Sequence, residues 1–201
     1  MRMSRPILIV DLEATCWRDK HTAPAEKEVI EIGCALVASD STVMDDFSTF
    51  VKPLLHPNLT AFCTELTTIT QSDVDTAPSY PEACQLVDEW LGQRVRGSIW
   101  GSWGNYDRNQ LLEEKARHCA APAFLGVPHI NLKRLWARSL GIPPRGMARA
   151  LAYSDIQPEG THHRGIDDVR NIAKLLPGIS RQLINHAVAT WAPYPEPGER
   201  T

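Results

Sequence analysis

No two of the five cysteines, Cys16, Cys34, Cys63, Cys84 and Cys119, stand in C-x-x-C spacing, and their number is odd. That argues against a structural zinc site and against a secreted disulfide framework, and points to a reduced compartment. Long apolar runs are missing too. The first, Ile7 to Val10, is followed at once by Asp11 and Glu13. It is too short for a signal peptide or a membrane span, so the chain reads as cytoplasmic and free of the membrane. Positive charge is not in excess either. With 21 Lys and Arg against 24 Asp and Glu the net charge is −3, which excludes a generally basic nucleic-acid coat. Internal repeats and low-complexity segments are absent.

What is present is the makeup of a folded protein. A hydrophobic share of 43%, a charged share of 22% and six tryptophans set the chain apart from disordered sequences. Its 201 residues fit one ordinary domain, large enough to bury about 70% of the surface its unfolded chain exposes. The expectation is a single domain over residues 1–201, with a core from about 6 to 178 and a C-terminal helix and frayed tail over 179–201.

"ILIV" (7–10) reads as a central strand buried on both faces. "VIEIGCALVA" (29–38) and "DFSTFVKP" (46–53) read as the next two strands, an antiparallel pair joined by the turn chemistry of "SDST". The charged segment "WRDKHTAPAEKE" between the first two strands is too polar to pack. It is either a mobile loop beside Asp11 and Glu13 or idle surface. Helical period marks 81–91, 109–119, 131–141 (stopped by Gly141), 147–154, about 166–176 (closed by Pro177 and Gly178) and 180–191, with a short strand over 97–102. The order predicts an α/β fold with a mixed sheet of about five strands flanked by helices. Between Ile130 and Ser154 lie Lys133, Arg134, Arg138, Arg145 and Arg149 with no acidic residue, a solvated helical face or a phosphate-facing surface.

Residues two apart on a strand share a face, so Asp11 and Glu13 of "DLEATC" converge at the carboxyl end of the first strand. Two ionised carboxylates that close need a cation, and oxygen-only ligands suit Mg²⁺ or Mn²⁺. A strand simply ending at the surface gives the same letters. Asp107, in "SWGNYD", sits where a strand hands over to a helix, either at a second sheet end or as a helix N-cap. In "THHRGIDDVRN" helical period separates two adjacent aspartates. Asp167 shares a polar face with Arg170, Asn171 and Lys174, and Asp168 an apolar one with Ile172, Leu175 and Leu176. Asp168 therefore points inward, where it needs a partner; Asp167 helps to seat the helix.

"IVDLEATC", "SWGNYD" and "HHRGIDD", in that order, resemble the DEDDh 3′-to-5′ exonucleases of the RNase H-like fold, over nearly the whole chain from Pro6 to Leu176. "EVIEIG", "FVKP", "LTAFCTELTTITQSDVD", "NLKRLW" and "HHRGIDDVRNIA" are similar to the Eri-1-like exoribonuclease branch, which includes the histone-mRNA 3′ exonuclease and bacterial KapD-like proteins. The resemblance implies that Asp11, Glu13, Asp107 and Asp168 hold two Mg²⁺ or Mn²⁺ ions. The family spacing H-x4-D selects His163 as general base, with Glu13 also in the catalytic set. Ala14 and Thr15 would face the terminal nucleotide, and Phe62, Leu66 and Trp103 the last bases, although each of these three also suits a core. The implied reaction is two-metal hydrolysis of single-stranded RNA or DNA from its 3′ end, releasing nucleoside 5′-monophosphates. RNA is favoured by branch alone. Thr68 stands where this branch commonly has Gly. No accessory nucleic-acid-binding module precedes the motifs, so single-stranded ends are expected rather than stem-loops. A DNA-directed exonuclease and a regulatory binding protein on an exonuclease scaffold are the competing expectations.

Overall fold

The computed structural model describes residues 5–19, 21 and 23–193. The first apolar run is strand β1 (Ile7–Ala14), which continues past Val10 and so carries Asp11 and Glu13 within it. Side chains alternate across a strand. Ile7 and Ile9 accordingly enter one apolar layer with Trp136, Val169 and Ile172, whereas Leu8, Val10 and Leu12 enter another with Tyr80, Trp100 and Leu111. Leu8, Ile9 and Val10 are wholly buried, and each such side chain contributes about 1.5–3 kcal/mol to folding. The catalytic candidates that follow are thus mounted on a strand packed on both faces.

Strand β2 (Val29–Val37) is buried along its length and pairs antiparallel with β1 and with β3 (Val43–Phe50). On the other side of β1 run β4 (Ile99–Ser102) and β5 (His129–Asn131), both parallel. The sheet order is β3-β2-β1-β4-β5, the mixed five-stranded sheet that the element order predicts. The β2–β3 turn falls at "SDST", where the Thr42 amide donates to Asp40 and Ala38 N–H to the Thr42 carbonyl. Strand β3 begins earlier than expected and ends at Phe50, because the Lys52 amide leaves the sheet for the Pro78 carbonyl.

The helices are α1 (Ala61–Thr67), α2 (Gln71–Asp75), α3 (Tyr80–Leu91), α4 (Tyr106–His118), α5 (Leu132–Leu140), α6 (Met147–Tyr153), α7 (Gly165–Leu175) and α8 (Arg181–Ala189). Sequence period does not reveal α1 and α2, which are too short to display one. Their caps do: Thr60 accepts from the Cys63 amide, and Thr70 and Asp73 form a capping box. Helix α4 starts at Tyr106, so Asp107 lies in its first turn rather than at the N-cap, which Asn105 occupies.

Two expectations need correction. The end of the charged loop is not idle or unpacked. Glu28 is buried, and its carboxylate collects the amides of Leu54, Leu55 and His56 at 2.7–2.9 Å. Asn171 does not belong to the solvated face of α7; it is buried and bridges the N–H and the carbonyl of Glu159. The expected fraying tail lies outside the described residues from 194 onward. Among the described residues no helix is long and apolar enough to cross a membrane.

Candidate active site

The site is assembled where β1 ends against α7. Gly33 on β2 makes this approach possible: a Cβ there would stand 2.2 Å from the Gly165 carbonyl carbon. With no side chain in the way, the first turn of α7 lies directly on β1 and β2. It brings Asp168 into a group with Asp11 and Glu13 in which one oxygen from each lies within 4.8 Å of the others. Asp168 is buried, as the apolar face of its helix requires, and Asp167 is turned out to receive the Thr161 amide and Arg170.

Such crowding is electrostatically unfavourable. Burial first, then Asp107, Glu13, Asp168 and Glu31, hold the Asp11 carboxyl well above the usual range. Burial, Asp168, Glu31 and Asp107 push Glu13 up to about 8. Burial likewise raises Asp168, against the hydrogen bonds that it accepts. Three crowded acids, Glu13 and Asp168 buried and Asp11 partly so, cannot all ionise comfortably; a divalent cation relieves them, and their hard oxygen donors fit one. Asp107 stands just beyond this trio. Its Oδ1 accepts the Leu12 amide at 3.1 Å, fastening α4 to β1, and burial pushes its carboxyl up to about 6. The Ser102 hydroxyl donates to the Gly104 carbonyl at 3.1 Å and lies 3.0 Å from Nε2 of His129. Burial drives that imidazole down to about 3, so it stays neutral.

The two histidines take different positions. Nδ1 of His162 lies 3.1 Å from Oδ1 of Asp168, whereas His163 donates its backbone N–H to Oδ2 at 3.1 Å. The rings stack with centroids 4.0 Å apart. His163 has φ +66°, a left-handed conformation that a non-glycine residue holds only under local constraint. Burial, then His162, lowers its pKa against the pull of Asp168, which keeps the ring neutral and able to accept a proton near pH 7.

Glu31 is a residue that the motifs alone did not single out. It is fully buried opposite Glu13, and its Oε2 accepts the Gly165 amide and Nε of Arg164 while Oε1 has no protein partner. The available signal was an acidic side chain inside a strand otherwise apolar on both faces. Thr15 is buried, with its N–H and its hydroxyl both engaged by the Glu28 backbone, so its polar groups brace the strand end. Phe62 and Leu66 are partly buried on α1, and Phe62 lies under the Arg18 guanidinium at 5.0 Å. Trp103 packs against the core beside Trp136 and donates its indole N–H to the Arg145 carbonyl. The basic stretch lies on α5, α6 and their connection. Lys133 bears electrostatically on Asp107, Arg145 stacks on Tyr153, and Arg134, Arg138 and Arg149 are exposed.

A family model described as Exonuclease matches residues 8–176. The chain belongs to the exonuclease family. Within this family, ERI1 exoribonuclease 3 from Homo sapiens is 34% identical over 180 residues, covering 84% of this chain and 52% of that protein. The 3′-5′ exonuclease eri1 of Schizosaccharomyces pombe is 24% identical over 214 residues, covering 93% of this chain and 72% of that one. The solved nuclease domain of 3′hExo, a DEDDh family member bound to rAMP, superposes with a TM-score of 0.78 at 24% identity, over 91% of this chain and 93% of that chain. The RNase H-like fold and the exonuclease family expected from the motifs are therefore met, with ERI1 exoribonucleases among the relatives. The chain spans about half the length of the mammalian relatives it matches.

Proposed function

We propose that the chain is a single 3′-to-5′ exonuclease domain that trims single-stranded RNA in the cytoplasm and releases nucleoside 5′-monophosphates. The observation that carries this reading is the trio of carboxylates from Asp11, Glu13 and Asp168, gathered within 4.8 Å beside a half-buried neutral histidine. The names of the exoribonuclease relatives support RNA over DNA.

Asp11, Glu13 and Asp168, with Asp107 behind them, would hold Mg²⁺ or Mn²⁺, two ions in the arrangement that the family implies. Divalent cations supply charge stabilisation for phosphodiester hydrolysis and lower the pKa of water. His163 then accepts the proton of the attacking water at its imidazole. Asp107, fixed by the Leu12 amide, keeps its carboxylate facing the trio. Glu31 holds the first turn of α7 in place through the Gly165 amide, and so positions Asp168. Ala14 and Thr15 form the floor for the terminal nucleotide, with Phe62, Leu66 and Trp103 as apolar walls.

Incubation with 5′-labelled single-stranded RNA and Mn²⁺ should yield a ladder shortening from the 3′ end, abolished by chelation and by Asp11→Ala. No ladder, or one that Asp11→Ala leaves intact, overturns the reading. A matched DNA oligonucleotide trimmed faster than the RNA would reassign the substrate.

A further inference from the structure

Beside the strand end that carries Glu13, two thiols meet that the nuclease reading does not use. Cys16 and Cys63 are both free, and their side chains are hydrogen-bonded to each other. Their backbones are stapled as well. The Thr60 hydroxyl donates to the Cys16 carbonyl at 2.7 Å and accepts the Cys63 amide at 3.0 Å, joining the chain after β1 to the first turn of α1. Sγ of Cys63 in turn lies 3.8 Å from the Ala14 carbonyl, to which it donates. The result is a relay from the Cys16 thiol through the Cys63 thiol to Ala14, the residue next to Glu13. Cys63 is buried and Cys16 is partly open to solvent.

We propose that Cys16 and Cys63 are a redox modification site, oxidised by a peroxide to a reversible disulfide that distorts the strand end beside Glu13 and slows substrate turnover. The hydrogen bond from Cys16 holds the Cys63 thiol down to about 7. Because the thiolate, not the thiol, is the nucleophile, part of the pair is reactive at neutral pH. The same contact, with burial, pushes the Cys16 thiol well above its usual range, so the negative charge sits on Cys63 and Cys16 is the second thiol of the pair. The Cys63 sulfur attacks one peroxide oxygen; the O–O bond breaks, a sulfenic acid forms, and the departing hydroxide leaves as water with a proton. The Cys16 sulfur then attacks the sulfenic sulfur on Cys63, the S–O bond breaks, and a second water departs with the remaining thiol proton. Two thiols lose two electrons and two protons, and one peroxide becomes two waters.

The functional effect follows from the geometry. Hydrogen-bonded sulfurs must close to a bond of about 2.05 Å, which draws Cys16 toward α1. Oxidation also removes the S–H that the Ala14 carbonyl accepts, leaving that buried oxygen without its partner. Both changes fall next to Glu13 and on the helix that carries Phe62 and Leu66.

The reduced protein, treated with hydrogen peroxide before any metal is added and then alkylated, should lose two hydrogens in mass. It should give one cross-linked peptide pair joining Cys16 to Cys63 and trim single-stranded RNA at least fivefold more slowly, with dithiothreitol restoring the rate. Cys16→Ser should keep the reduced rate, form no cross-link and resist peroxide, and Cys119→Ser, at the exposed thiol, should behave as the unaltered protein does. Oxygen adducts without a cross-link, a cross-link elsewhere, or the expected cross-link with an unchanged trimming rate would each overturn the proposal. The cross-link is read by mass, independently of whether the chain cleaves RNA.

Discussion

Replacing Glu13 by Gln should make the metal-free protein more stable at pH 8, although it removes a residue from the site. Glu13 is buried among Asp11, Asp168, Asp107 and Glu31, and these surroundings move its carboxyl from 4.5 to about 8. In the unfolded chain it ionises near its ordinary value. Between about pH 4.5 and 8 the folded state therefore keeps a proton that the unfolded state has released, and stability falls as pH rises through that window. A gap of about 3.5 units at 1.36 kcal/mol each is on the order of 5 kcal/mol. For a chain of this size each kcal/mol corresponds to roughly 2–4 °C. Asp11 and Asp168 are raised as well and act in the same direction. Thermal unfolding in EDTA should accordingly show the midpoint falling by about 10 °C or more from pH 5 to pH 8. Glu13→Gln should flatten much of that fall, and Mn²⁺ at one hundred times its dissociation constant should return about 2.7 kcal/mol to the unaltered protein. A midpoint that holds steady or rises across this range in EDTA would refute the electrostatic argument, as would a Glu13→Gln protein less stable at pH 8.

His163→Ala should lower the trimming rate by about 10²–10⁴-fold, whereas His162→Ala, at the more exposed ring, should retain most of it; equal losses in a single-turnover assay would remove His163 as the base. Gly33→Ala should cost about 3 kcal/mol by chemical denaturation and weaken Mn²⁺ binding in calorimetry, because its methyl group meets the Gly165 backbone at 2.2 Å and displaces the helix that carries Asp168. Thr68 caps α1 at φ +62°, in the conformation that glycine favours. Thr68→Gly should therefore raise stability by about 0.5–1 kcal/mol, a gain that urea titration resolves and whose absence would show the cap to be unstrained.

Much of this arrangement was legible in the residues themselves. The run Ile7–Val10 announced a doubly buried strand because nothing in it is polar, and the helical period of 166–176 separated Asp168 from Asp167 because one of them shares its face with leucines. What sequence could not supply was contact between distant segments. Glu31 reads as an oddity in an apolar strand until the Gly165 amide arrives from α7 to meet it. Nothing in the letters around Thr15 shows that its N–H and hydroxyl both meet the Glu28 backbone. The short helices α1 and α2 escaped because five to seven residues give too few turns for a period, while their threonine caps were visible throughout. Asn171 was assigned to the solvated face by polarity alone, and a buried amide bridging to Glu159 defeats that rule.

The most direct test of the metal-centred account is a crystal of this protein soaked with Mn²⁺ and a nucleoside 5′-monophosphate, with anomalous scattering recorded at the manganese edge. The account predicts two peaks among Asp11, Glu13, Asp107 and Asp168, with the nucleotide phosphate against them and His163 facing the phosphorus. The same side chains offer a rival site, since His162, His163 and Asp168 also bring one ligand atom each within 4.8 Å. A single peak held there, with none between Asp11 and Glu13, would contradict the account.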